Sequence, residues 1–212
     1  MLRDLGHFTW MPDGECYRAT FTHEMVQLDG RKMSKHLGNT VTPQEIVEQL
    51  GADTLRLAML HAAAPAKAFT WDESLLTYSS AFLRRLWTFA EPRLSAASSP
   101  PQELDVSDGL RRRLAGWCDT ALGKITENYE RLDMHRATRN LMTLFERIED
   151  FESRVVARRE PTAEDRDATV YALLLLLRLL APVAPHIAEE LWARSGSEGF
   201  VADAGWPAAA AA

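Results

Sequence analysis

The sequence predicts a mainly α protein, an antiparallel helical bundle entered through a short strand–loop–helix piece. Three observations carry that prediction. From residue 52 onward, apolar side chains recur at three-four spacing in long segments joined by short polar connections. The first forty residues instead hold repeated glycine and proline and one stretch rich in β-branched and aromatic residues, 19–28. Size and composition agree: 212 residues, 46% apolar and 25% charged, lie in the range of ordinary globular domains. Such a chain can bury a core as one domain, or as one domain with a small appendage.

Each element has its own signal. ATFTHEMVQL (19–28) reads as a strand ending in the turn dipeptide Asp29-Gly30, followed by the polar loop RKMSKHLGN. Thr42-Pro43-Gln44-Glu45 reads as a capping box opening a short helix with Ile46, Val47 and Leu50, closed by Gly51. Leu55, Leu57, Met59 and Leu60 line a second short helix that Pro65 stops. Thr70-Trp71-Asp72-Glu73 reads as another capping box, leading into a long helix with Leu75, Leu76, Phe82, Leu83, Leu86, Trp87 and Phe89. SAASSPPQ (95–102) is a linker by composition. The next helix is expected from Leu104 or Ser107 to Tyr129, and another from Asp133 with Ala137, Leu141, Leu144, Phe145 and Ile148. Thr162 caps a helix over 164–180, and Pro185 begins the short HIAEELW helix. Four helices of about 18 to 24 residues with short connections make an antiparallel bundle. The expected divisions are 1–50 for the strand–loop–helix piece, 51–71 for a linking region, 72–194 for the bundle and 195–212 for a flexible tail.

Bulk properties exclude several classes. With 24 Lys and Arg against 30 Asp and Glu, the net charge is −6, so a globally basic nucleic-acid coat is absent, although a local positive face is not excluded. Cys16 and Cys118 form no CxxC pair, which argues against a zinc site or disulfide framework and fits a reducing, cytoplasmic location. No metal site is expected. MLRDLGHFTWMPDGE lacks the pattern of a signal peptide. The longest apolar run, 172–185, is broken by Arg178 and Pro182, so a buried helix is expected rather than a membrane span.

The loop GRKMSKHLGN sets Lys32 and Lys35 three apart with Ser34 between them and Gly30 and Gly38 on either side. Lysines neutralise phosphate oxygens as compact point charges, and serine or backbone N–H groups add hydrogen bonds, so a polyphosphate-binding loop is one reading. A solvated basic loop after a strand carries the same charges, and charge alone does not separate the two. The loop is not a Walker sequence, which requires GxxxxGK[ST].

The string KMSKHLGN closely resembles the KMSKS signature loop of class I aminoacyl-tRNA synthetases. THEMVQLDGRKMSKHLGN, IVEQLGADTLRLAML, AAPAKAFTW and LLAPVAPHIAEELW occur in the order seen in the leucyl, isoleucyl and valyl subgroup, and KAFTW is most similar to the leucyl enzymes. The resemblance runs from about Thr20 to about Trp206. It implies a fold in which a remnant strand–loop–helix of a nucleotide-binding α/β domain precedes a bundle of the anticodon-binding-domain type. It also implies that Lys32, Met33, Ser34 and Lys35 occupy the first four motif positions, with ATP and Mg²⁺ as ligands of the complete enzyme. Lys32 and Lys35 would be the catalytic lysines that stabilise phosphate charge, Lys35 foremost. His36 departs from the usual serine at the fifth position; it is either a donor to phosphate or ribose or a solvated loop residue.

The same resemblance implies tRNA as partner of the bundle. Cations suited to RNA phosphates are Arg84, Arg85, Arg111, Arg112, Arg113, Arg136 and Arg139, with Lys124, Arg154, Arg158 and Arg159 further along the chain. Each is equally what an exposed helix face carries. Trp87, Phe89, Trp117 and Trp192 are expected in the core rather than as base-stacking platforms, and His186 at a helix start. Asp53 and Arg56 are expected to pair at i and i+3 in a structural role.

Neither His7 nor His23, the histidines before the loop, begins a His-x-Gly-His string, the second ATP signature of the class. The nucleotide-binding sheet, amino-acid pocket and editing insertion therefore have no counterpart in these residues, and the chain is not expected to aminoacylate alone. Two functions are expected from this. The chain is a leucyl-type synthetase part completed by a separate chain, or it is a non-enzymatic tRNA-binding module or degenerate paralogue.

Overall fold

The structure is a computed structural model describing residues 20–208. Cys16, His7 and the first residue of the expected strand lie outside the described residues.

Strand structure is much shorter than the sequence suggests. β1 covers only Val26–Leu28, and residues 20–25 have no regular structure. The reason is a lack of ladder partners, because a strand exists only where another backbone satisfies it. On one side stands β2, Arg31–Lys32, antiparallel, with Gln27 opposite Lys32 and Leu28 opposite Arg31. On the other stands β3, Phe69–Thr70, parallel, with Val26 opposite Phe69 and Gln27 opposite Thr70. The sheet order is β2-β1-β3. Asp29 (φ 51°) and Gly30 (φ 72°) both take the left-handed conformation that a two-residue hairpin turn of this kind demands.

The helices are α1 Pro43–Leu50, α2 Ala52–Ala62, α3 Glu73–Ser95, α4 Gly109–Glu130, α5 Met134–Val156, α6 Ala163–Leu180 and α7 Pro185–Arg194. Two expected capping boxes do not form. Thr42 makes no side-chain capping bond, and α1 starts on Pro43, whose fixed φ suits the first helical position. At α3 the cap is Asp72, not Thr70; its carboxylate accepts the Ser74 N–H at 2.7 Å. A free Asp oxygen two residues from an N–H is better placed than a hydroxyl held in β3. α4 begins later than expected, at Gly109, because Asp108 accepts the Leu110 N–H at 2.7 Å. Asp133 caps α5 as expected, and Thr162 and Asp165 cap each other at α6 in a complete capping box.

Side-chain pairings give the direction of each long helix. Phe82 and Phe89 on α3 both set their rings edge-on against Phe145 of α5, while Arg93 reaches Glu152 further along, so α3 and α5 run parallel. Arg111 meets Asp165, and the Tyr129 hydroxyl donates to the Leu179 carbonyl at 2.9 Å, so α4 and α6 also run parallel. With a connection of three residues between α4 and α5, the four helices alternate up and down. α6 is the central rod: Leu173, Leu176, Leu177, Leu179 and Leu180 are all fully buried, covering more than one face. That explains its unbroken apolar run. A smaller cluster of Ile46, Ala58 and Leu76 joins α1 and α2 to α3.

The aromatic residues expected in the core lie at its margin. Trp87, Phe89, Trp117 and Trp192 are half-buried against it. Arginines roof three of them: Arg93 sits 3.7 Å from the Phe89 ring centre, Arg147 at 5.0 Å from Trp117 and Arg194 at 5.3 Å from Trp87. The expected flexible tail is docked as far as it is described. Val201 is buried, Arg178 donates to the carbonyls of Ala204 and Gly205, and Trp206 Nε1 donates to Thr126 Oγ1 at 2.9 Å. Cys118 is buried, and burial pushes its thiol up to about 12, which leaves it inert.

Candidate functional site

The loop after β2 is a closed structure built almost wholly from backbone. Met33 N–H bonds back to the Val26 carbonyl at 3.3 Å, extending the hairpin by one residue. A single 3₁₀ turn follows over Lys35–Leu37, with Leu37 N–H to Ser34 O at 3.1 Å and Gly38 N–H to Lys35 O at 3.2 Å. Gly38 ends it at φ 66°, a conformation that glycine adopts without steric penalty. Asn39 then turns its side chain inward: Oδ1 accepts the Ser34 N–H at 2.9 Å and Nδ2 donates to the Lys32 carbonyl at 3.2 Å. Lys32, Lys35 and His36 are exposed, while Met33 and Ser34 are half-buried. The loop therefore brings together Lys32, Met33, Ser34, Lys35 and His36, with both lysines in solvent. Sequence reading missed the part played by Asn39, although a short polar amide at the end of a glycine-bearing loop is a recognisable turn signal.

The loop stands on the linking region, and that region is tied to the bundle by polar contacts. Trp71 N–H donates to the Gln27 carbonyl at 2.7 Å, which anchors the sheet to the entrance of α3. Asp53 does not pair with Arg56. It reaches the start of α7 instead, where Oδ1 lies 2.8 Å from His186 Nδ1 and Oδ2 accepts the Ile187 N–H at 2.8 Å. Arg56 donates to the carbonyls of Val183 and Pro182 at 3.0 and 2.8 Å. Both residues keep the structural role expected of them, but with partners more than a hundred residues away. At the other end of α2, His61 Nδ1 lies 3.0 Å from Thr138 Oγ1, and His135 Nδ1 lies 2.6 Å from the His61 carbonyl. Burial, then the nearby His135 and Arg139, lower the His61 pKa.

The candidate RNA-facing arginines do not form one patch. Arg84 and Arg85 lie on α3 beside a surface cleft of about 730 Å³ that also includes Arg93, Thr88, Glu149 and Leu50 of α1. Arg85 is exposed but clamps Glu149 through both nitrogens of its fork, Nε donating at 2.9 Å. Arg112 and Arg113 are exposed near the start of α4. Arg136, 71% exposed, and Arg139 stand near the start of α5. Because α4 and α5 are antiparallel, these two pairs are about one helix length apart, roughly 30 Å. Arg111 is a different kind of residue: it is buried, donating to Asp165 at 2.9 Å and Asp105 at 2.8 Å. As the one arginine of its run that faces inward, it closes the far end of the bundle and presents no cation to a ligand. Arg93, which sequence reading passed over, instead borders the cleft, with Nε donating to Glu152 at 2.7 Å.

Among the described residues, no group of three or more His, Cys, Asp or Glu side chains comes together as a metal site. No helix among them is long and apolar enough to cross a membrane.

Residues 8–72 match the family model "tRNA synthetases class I (I, L, M and V)", and residues 115–212 match "Anticodon-binding domain of tRNA ligase". Leucine--tRNA ligase of Marinomonas sp. (strain MWYL1) is 32% identical over 98% of this chain and 24% of its own length. That of Geotalea uraniireducens is 34% identical over 98% of this chain and 24% of its own. The chain belongs to the class I aminoacyl-tRNA synthetases, leucyl subgroup. It spans about a quarter of the length of these curated relatives. Among solved structures, the ternary complex of Agrobacterium radiobacter K84 agnB2 LeuRS with tRNA and LeuAMS aligns over 99% of this chain and 26% of that one. The TM-score is 0.82 at 30% identity. The match covers the loop, the linking region and the bundle together, so their arrangement is that of the synthetase's anticodon-binding region and the segment leading into it.

Proposed function

We propose that this chain supplies the signature phosphate loop and the tRNA-binding bundle of a leucyl-type synthetase. The overall reaction is activation of leucine by ATP, followed by transfer to tRNA. In activation, the leucine carboxylate oxygen forms a bond to the α-phosphorus while the bond to pyrophosphate breaks. Negative charge accumulates on the leaving group, and Lys32 and Lys35 are placed to neutralise it, with Lys35 foremost. The observation that carries this reading is the closed loop 32–39, which leaves both lysines in solvent at the end of a short hairpin. His36 is exposed beside them and can donate to a phosphate or ribose oxygen.

For tRNA, the favoured contacts are Arg84 in the α3 cleft and the exposed Arg112, Arg113, Arg136 and Arg139. Arg85 would have to release Glu149, and Arg93 would have to release Glu152, to reach a phosphate. The nucleotide-binding half of the active site would be supplied from outside these residues. The test is leucine-dependent pyrophosphate exchange in a preparation that supplies that half, with wild type and the K32A and K35A variants of this chain. Loss of exchange in both variants supports the reading, and wild-type exchange in both would sink it. A chain that binds tRNA with a steep salt dependence, but supports no exchange with any partner, is instead a non-enzymatic tRNA-binding module.

A further inference from the structure

A phosphate-binding loop whose backbone shape persists before the ligand arrives loses less affinity to ordering on binding. In this loop no apolar anchor provides that persistence: none of residues 33–39 is fully buried, and the 3₁₀ turn carries no buried side chain. The hairpin fixes one end, through Met33 N–H to Val26 O at 3.3 Å. Asn39 does the rest. Its carboxamide meets both polar groups that flank Met33, accepting from Ser34 N–H at 2.9 Å and donating to Lys32 C=O at 3.2 Å. The ring closed by these two bonds contains every residue from Lys32 to Asn39, hence both lysines.

An amide is suited to this task because it offers one acceptor and one donor in a single plane. A carboxylate would place a second acceptor against the Lys32 carbonyl. Alanine would leave both backbone groups to solvent. The bond to Ser34 also has a consequence for ligand binding, since the Ser34 N–H is already engaged while the ring is closed. Phosphate is then met by the lysines rather than by that amide.

We infer that Asn39 is a positioning residue, acting on phosphate through the backbone that carries Lys32 and Lys35. The role rests on the reading of residues 32–39 as a phosphate loop, and the experiment separates the two. In the full chain, the Ser34 amide resonance and its exchange rate report the ring directly, and a tripolyphosphate titration reports the lysines. In wild type the Ser34 amide is protected. In N39A at neutral pH that protection is lost, while amides of α4 and α5 keep theirs, which shows an intact fold. N39A weakens tripolyphosphate binding roughly five- to thirtyfold, the order of reordering one residue's backbone.

A Ser34 amide unprotected in wild type, or still protected in N39A, overturns the clasp itself. Lost protection with unchanged tripolyphosphate affinity in N39A, where K32A and K35A do weaken it, overturns the positioning role and leaves the phosphate loop standing. No tripolyphosphate response in wild type overturns both, leaving Asn39 a structural clasp only.

Discussion

In the loop between Met33 and Asn39 no side chain is fully buried, and shape comes from two hydrogen bonds of one amide and a single 3₁₀ turn. In the bundle, Leu86, Leu114, Ile125, Phe145 and Leu173 are all shielded from solvent in one continuous core. A few directional bonds hold the loop, and each can be removed without disturbing a neighbour's packing. The bundle is held by many close contacts that give way together. The contrast places chemistry where the backbone is solvated and rigidity where it is not. Between the two regions lies the linking helix α2, whose polar side chains Asp53, Arg56 and His61 all reach into α5, α7 or the turn before it.

The sharpest way to break the comparison is to remove a bundle contact and ask whether the loop notices. Phe145→Ala removes the ring against which Phe82 and Phe89 pack and should cost about 3–5 kcal/mol in urea unfolding. Loop protection at Ser34 should stay at its wild-type value until global unfolding; earlier loss would show that the regions are not separable.

Asp165→Ala should cost about 3 kcal/mol, at the low end for a broken buried pair because Asp105 still holds Arg111. Acid gives the same information. The Arg159 guanidinium, with the Thr162 N–H and Arg111, holds the Asp165 carboxyl well below the usual carboxylate range, although burial opposes them. Its stabilisation is thus complete above the unfolded value of about 4 and is lost as pH falls toward the folded value. Unfolding midpoints measured from pH 5 to pH 2 should fall less steeply in D165N than in wild type.

Asp53→Ala removes a cap supplied across the fold and should cost about 0.5–2 kcal/mol. Hydrogen exchange should accelerate first at Ile187 and the start of α7; a uniform change through the bundle would contradict a local cap.

A smaller effect is expected at His61. Burial, followed by His135 and Arg139, depresses its pKa, so the unfolded chain takes up a proton first. Stability from this joint is complete above about 6.5 and declines as pH falls from there toward the folded value. The H61N variant should lose that part of the slope in urea midpoints between pH 7.5 and 5.5. Smallest of all, Lys32→Ala should leave the unfolding free energy within about 0.5 kcal/mol of wild type, as for an exposed residue away from packing.

Much of the bundle was legible because its elements are long. The apolar spacing of α3 and α5, the Asp133 and Thr162 caps and the Gly51 break are each written within a few residues of where they act. The loop was legible as a motif for the same reason. What could not be read is whatever a distant segment supplies. β3 in KAFTW is two residues long and exists only because Val26 and Gln27 lie alongside. Asp53 faces Arg56 by helical spacing, yet the unsatisfied N–H groups at the start of α7 are the stronger attraction. Arg111 is one of three adjacent arginines, and only the rotation of α4 against α6 turns it inward toward Asp165.

The sequence by itself determined the helical class, the order of its elements, the signature loop and the family, because periodicity, caps and motif are local. Tertiary structure alone decided which arginines remain at the surface, which end of each helix a remote side chain caps, and how Asn39 closes the loop. Those outcomes depend on directional bonds between groups whose approach is set by packing of the whole chain, and no local pattern encodes that approach.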